Sequence, residues 1–244
     1  MNIYKYLTFT QFVDMVECQR LYLTRISEWD DVYEAAGLKH AVSTSIPKLA
    51  PSFVSEMMGE ELMTVLDKNV FDSYYAQSWT ISEQESDAMW RIYSPRRDGV
   101  RIKMKADTVE RSIREGLKII DPKAQVYQSR VIYRNDNLGE IYVKRKAFEH
   151  ENEYRFWTVI QMGSINPPPD RAFINDTNGF IRYLEKCHKG VPVSLYYPVT
   201  IDMIDEITLD PRAASYHEET FNTYCENRKI VKQVYKKSKL YTEL

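Results

Sequence analysis

A chain of 244 residues is long enough for one large domain or two small ones, and at this size folding buries roughly 70–75% of the unfolded surface. Hydrophobic residues make up 43% and charged residues 28%, with a formal net charge of −2, which excludes a disordered or fibrous chain and supplies no global field for nucleic acid or a membrane. Cys18, Cys187 and Cys225 are odd in number and form no CxxC pair, so reduced thiols in a cytoplasmic protein are expected rather than disulfides or a zinc site. No secretory leader is expected from Met1-Asn2-Ile3-Tyr4-Lys5-Tyr6, and no apolar run approaches the roughly 20 residues that span a bilayer.

Residues 3–7 read as a short strand, followed by a helix that Thr8 or Thr10 caps and that carries Phe12, Met15 and Val16 on one face. A second strand, 21–23, runs into the polar turn Ser27-Glu28-Trp29-Asp30-Asp31. Residues 47–73 read as helical and 74–81 as a strand. A short helix over 87–93 is expected after a cap at Ser86 or Asp87, then the turn at 95–99 and a half-exposed strand over 100–104. Asp107 opens a helix to about Leu117, with strands over 126–133 and 141–144 around the turn 135–139. The run 154–161 is the most strand-like of the chain, and the prolines at 167–169 break the segment that precedes them. Strands over 191–197 and 204–209, a helix over 215–228 and a closing strand over 232–240 complete the chain. Short strands that do not alternate with long helices predict a single α+β domain over 1–244, with a mixed, mostly antiparallel sheet flanked by helices.

Several chemistries lack their residues. The eight glycines form no phosphate loop, and His40, His150, His188 and His217 stand apart. The densest polar stretch, 144–157, holds Glu151 and Glu153 two apart. In an extended segment both carboxylates share a face, repel, and leave one holding its proton longer, fit for acid–base work or for gripping a hydroxyl. The plain alternative is an exposed acidic edge paired with Lys144, Arg145, Lys146 or Arg155. Met89, Trp90 and Tyr93 share a helical face that serves either as a stacking wall or as core. Ser78 and Thr80 share a strand face able to hydrogen-bond a ligand. Asp30, Asp31 and Glu34 read as helix-capping acids in a turn.

In order, Tyr4-Lys5-Tyr6, Trp29-Asp30-Asp31-Val32-Tyr33-Glu34, Ser78, Met89-Trp90 with Tyr93, Gly99-Val100, Lys146 with Glu151, Glu153 and Arg155, Asp210-Pro211-Arg212 and Lys236-Lys237-Ser238-Lys239 resemble a bacterial and phage domain family of unknown function. Asp30, Val32 and Asp210 depart from its Asn, Pro and Gly. The landmark order is also similar to that of the ADP-ribosyltransferase superfamily. That resemblance implies a matching fold, NAD as the consumed nucleotide, an unidentified acceptor, and a use in conflict between bacteria and phages. It implies that Lys5 or Tyr6 meets the dinucleotide and that Ser78 and Thr80 order the nicotinamide pocket beside Trp90 and Tyr93. Glu153 then holds the nicotinamide ribose while Glu151 orients the acceptor. Other readings are an aromatic-lined groove for a nucleotide, peptide or protein, and a metal-dependent nuclease using Asp31, Glu34, Glu151 and Glu153. Nucleic acid remains open as a partner, a membrane partner is not expected, and the sequence does not specify an oligomeric state.

Overall fold

The computed structural model describes residues 1–29, 65, 68–136, 140–160, 181–182, 185–186 and 192–242. The turn at 30–34, most of the expected helical stretch 47–73, the prolines at 167–169, Cys187, His40 and His188 lie outside them. The fold is α+β, with helices flanking a mixed, mostly antiparallel sheet. Among the described residues no helix is long and apolar enough to cross a membrane.

Strand β1 (Asn2–Leu7) leads into helix α1 (Phe9–Cys18), which opens at Thr8 with a reciprocal cap. The Gln11 amide donates to the Thr8 hydroxyl at 3.2 Å and the Thr8 amide donates to the Gln11 side chain at 2.9 Å. The helix ends at Gln19 in the left-handed region (φ 50), and β2 (Arg20–Arg25) follows at once. Strand β3 (Tyr74–Thr80), helix α2 (Asp87–Tyr93, capped by Ser86), β4 (Val100–Lys105) and helix α3 (Ala106–Ile120) come next. The expected strand over 126–133 divides at Val131, whose amide donates to the Glu153 carbonyl. This leaves β5 (Val126–Arg130) in the main sheet and β6 (Ile132–Tyr133) in a small parallel pair with β7 (Val143–Lys144). Strands β8 (Glu153–Val159), β9 (Ser194–Pro198) and β10 (Glu206–Leu209), helix α4 (Ser215–Asn227) and β11 (Tyr235–Lys237) complete the order. The closing strand is shorter than expected, and Ser238 and Lys239 lie beyond it.

Pairing around β3 creates the feature that matters for function. One edge of β3 pairs with β8 along its whole length, from Tyr74↔Val159 to Thr80↔Glu153. The other edge is shared. Strand β1 meets it at Tyr4↔Thr80, and β2 meets it at Thr24↔Ala76 and Arg25↔Tyr75. Between these points, over residues 77–79, β1 and β2 diverge: β1 continues along β4 and β2 along β9. Side chains alternate across a strand, so Ser78 and Thr80 share a face with Glu153 and Arg155, while Tyr75, Gln77 and Trp79 face the core with Phe156.

The core gathers Ile3, Phe12, Trp79, Ile102, Ile113, Phe156 and Phe221 under α1, α3 and α4. Helix α3 buries Val109, Ile113 and Leu117, a repeat of four that lays one stripe on the sheet. Gly116 is required on that stripe: an added Cβ would sit 2.8 Å from the Tyr196 carbonyl oxygen and from Tyr197.

Candidate functional site

The cleft opens where β1 and β2 part. It encloses about 700 Å³, within the range of small-molecule sites. Lys5 and Tyr6 from β1, Ser78 from β3, Tyr93 from α2, and Glu151 and Glu153 all line it. The other wall comes from α1 and β2, with Gln11, Asp14, Arg20 and Tyr22.

Each group is held by its element. Lys5 reaches into the gap and its Nζ donates to the Ser78 carbonyl at 3.0 Å, a carbonyl on the edge that β1 and β2 leave open. Burial pushes the Lys5 amine down to about 8, even though Glu153 pulls it the other way. Tyr6 and Tyr93 are stacked, with ring centres 6.1 Å apart, and they form an aromatic wall. Thr80 is tied down locally, its hydroxyl donating to the Asn152 carbonyl at 3.3 Å and accepting from the Ser82 amide at 3.2 Å. It lines a smaller pocket that continues the cleft, together with Lys5, Ser78, Glu153 and Tyr93.

Trp90 is the one predicted contact residue that lines neither cavity. It is 0% exposed and packs edge-on beneath Tyr6 at 4.8 Å, its Nε1 donating to Glu85 at 2.8 Å. Helical spacing grouped Met89, Trp90 and Tyr93 on one face, but only Tyr93 reaches the end of that face that opens to solvent. Trp90 supports the wall from below. The backbone of α2 is anchored by Arg212, whose guanidinium donates to the carbonyls of Trp90 (2.8 Å) and Ser94 (2.9 Å) while pairing with Asp210.

The two glutamates are close, but the segment between them is not extended. Glu151 ends a 3-10 turn (Lys146–Glu151), Asn152 takes a left-handed conformation (φ 44), and Glu153 starts β8. Of the alternative, an acidic edge that is exposed and paired with basic neighbours, the exposure is overturned, Glu151 being 6% and Glu153 3% exposed, while the pairing with Lys144 and Arg155 is present. Lys144, from β7, sits between them, 2.7 Å from Glu151 and 3.3 Å from Glu153. Fully buried Arg155 donates from Nε to the same Glu153 at 2.7 Å and from Nη1 to the Ile141 carbonyl at 2.5 Å. The Ser78 hydroxyl also donates to Glu153, and the Glu153 amide donates to the Tyr133 phenol oxygen at 2.7 Å. Burial alone raises the Glu153 carboxyl, but Arg155 and Lys144, with the hydrogen bonds from Ser78 and Arg155, outweigh it and hold it below its ordinary value. The expectation that mutual repulsion leaves one carboxylate protonated therefore fails for Glu153. It is an oriented anion, suited to stabilising positive charge and unsuited to donating a proton. Burial pushes the Tyr133 phenol up to about 12, with the neighbouring glutamates adding to the rise, so Tyr133 stays neutral.

Tyr133 is not singled out by the sequence, and Lys144 and Arg155 enter there only as partners of an exposed acidic edge. One signal was present: Glu153 and Arg155 are two apart in an aromatic strand, which puts opposite charges on the same face. Lys144 gave no such signal. It precedes an exposed-looking basic run and is buried only because β6 and β7 bring it inward.

The nuclease reading draws on Asp31 and Glu34, which lie outside the described residues. Among the described residues no three His, Cys, Asp or Glu side chains gather as a metal site, and both glutamates are matched by Lys144. No family model, curated protein or solved structure matches the chain.

Proposed function

We propose that the chain is an NAD-consuming transferase of the ADP-ribosyltransferase kind, with Glu153 as the carboxylate facing the nicotinamide ribose. The reading rests on one convergence: Lys5 of β1, Ser78 of β3 and Glu153 of β8, far apart in sequence, line one cleft, and the Ser78 hydroxyl donates to Glu153.

In this reading NAD is the substrate. Its bond from ribose C1′ to nicotinamide breaks with the electron pair leaving on nicotinamide, and an acceptor atom then bonds to C1′. The chain's own groups lower that barrier. Ionised Glu153, fixed by Arg155 and Ser78, offsets the positive charge that grows on the ribose in a site partly withdrawn from water. Tyr93, stacked with Tyr6, offers a face to the departing ring. Lys5 meets the dinucleotide at the gap between strands, Thr80 borders the pocket, Trp90 acts through Tyr6, and Glu151 orients the acceptor.

The test is calorimetry with NAD together with release of nicotinamide. Wild type binds and releases. Glu153→Gln lowers turnover about 10²–10³-fold, the usual effect of removing one preorganised electrostatic partner. Because Glu153 neutralises two buried cations, its variant is compared at a temperature where circular dichroism finds it folded. Tyr93→Ala, at a partly exposed position, weakens binding without a loss of fold. If wild type neither binds NAD nor releases nicotinamide, the reading is wrong. A non-enzymatic aromatic groove predicts a different pattern, in which Tyr93→Ala impairs association and Glu153→Gln leaves it unchanged. Trp90→Ala does not discriminate, since Trp90 is core.

A further inference from the structure

We infer that the ε-amine of Lys5 is a nucleophilic site that takes a small hydroxyaldehyde as a covalent imine, whether or not the cleft binds NAD. The two amines at this end of the cleft differ in their partners. Lys144 is bracketed by two carboxylates at 2.7 and 3.3 Å. Lys5 donates to a neutral backbone carbonyl, lies 5.7 Å from the Trp79 ring centre, and lines both the main cleft and the smaller pocket beside it.

A half-buried amine beside a neutral acceptor releases its proton more readily than one in water. Burial brings Lys5 to about 8 against the pull of Glu153, so a usable fraction is neutral at ordinary pH. The titratable groups that line the two cavities with it are Glu153 of β8, Glu151 and Glu28 from turns, Tyr93 of α2, Lys144 of β7, Asp14 of α1, Arg20 and Tyr22 of β2, and Tyr4 and Tyr6 of its own strand.

The pocket dictates the ligand class. The smaller cavity holds about 110 Å³. At a share of roughly 30 Å³ per water this is room for about four water-sized groups, so the reacting end is short. The carboxylate oxygens of Glu151 and Glu153 border this space and accept hydrogen bonds from hydroxyls, so the reacting molecule is hydroxylated.

The step balances without an outside oxidant or reductant. The Lys5 lone pair attacks the carbonyl carbon, a C–N bond forms, and the carbonyl oxygen takes up a proton to give a carbinolamine. Loss of that hydroxyl with a second proton from Nζ releases one water and leaves the imine.

The test uses glycolaldehyde as the probe and cyanoborohydride to trap the imine, with every lysine peptide quantified by mass spectrometry in the absence of nucleotide. At pH 7 the Lys5 adduct forms on the order of tenfold faster than the adduct at exposed Lys118. Across pH, the Lys5 rate rises with a midpoint near 8. Lys5→Arg preserves the charge and the hydrogen bond to Ser78, and the adduct disappears from that peptide while the rest of the labelling pattern stays. Absence of a Lys5 adduct while surface lysines react, or a Lys5 midpoint at the ordinary lysine value, overturns the inference. A chain that fails to bind NAD still labels at Lys5, so the two readings fail separately.

Discussion

Alternate residues of β3 feed two buried polar networks of different kinds. On the core face, the Gln77 amide donates to the Tyr22 carbonyl at 2.8 Å, and its oxygen accepts from Trp79 Nε1 at 2.9 Å and the Tyr197 hydroxyl at 2.5 Å. Every member is neutral and satisfied, and the network ties β3 to β2 and β9 across the span where the ladder is missing. On the cleft face, Ser78, Glu153, Arg155, Lys144 and Glu151 form an ionic chain. Taking several charges out of water costs several kcal/mol per ion before their attraction repays it. The neutral network does what stability asks. The ionic one is an expensive way to hold a sheet together, and its cost marks the cleft face as the side where charge has a use.

The largest effect that separates the two comes from Arg155→Met. It leaves Glu153 buried and short of its closest cation, and is expected to cost about 3–5 kcal/mol in chemical denaturation. A cost under about 1 kcal/mol would mean that water already screens the ionic chain, as it does for exposed pairs, and the contrast with the core face would vanish. Next is Gln77→Leu, which leaves the Trp79 and Tyr197 donors without an acceptor and is expected to cost about 1–3 kcal/mol, with no change in the acid sensitivity of the fold.

The third effect is in pH. The folded Lys5 amine titrates near 8, below its ordinary 10.5. Between those values the unfolded chain binds more protons than the folded one, so this residue makes stability rise with pH across that window. The depressed Glu153 carboxyl acts at the other end. Its contribution is present above the ordinary glutamate value of 4.5 and is lost as pH falls through its lower folded value. Lys5→Gln keeps a donor for Ser78 and should flatten the alkaline slope alone, as read from urea midpoints from about pH 8 to about pH 10.

Much of the fold was legible because local patterns decide it. The capped helix after Thr8, the strand at 74–80 and the Ser86 cap each follow from residues within a few positions of one another. The site was legible only as a set of names. Lys5, Ser78 and Glu153 were picked out as candidates, but nothing local says that β1 and β2 share an edge of β3 and then part, which is what creates the cleft. Trp90 shows the limit of periodicity: spacing assigns a face, and the depth along that face depends on what packs there. Glu151 shows another. A left-handed Asn152 breaks the extended segment that a two-residue spacing suggested. Lys144 looked like the start of a solvated basic run and is instead the buried cation between the two glutamates.

The partition of β3's edge has a consequence for how the protein acquires its shape. Strands β1 and β2 are joined by a ten-residue helix, yet their long ladders run to distant partners, Asn2 with Lys105 and Leu21 with Tyr197. Closing such long loops costs chain entropy before any contact repays it, and topologies of this kind reach the native state slowly. The cleft is therefore complete only once those long-range ladders have closed on both of its walls.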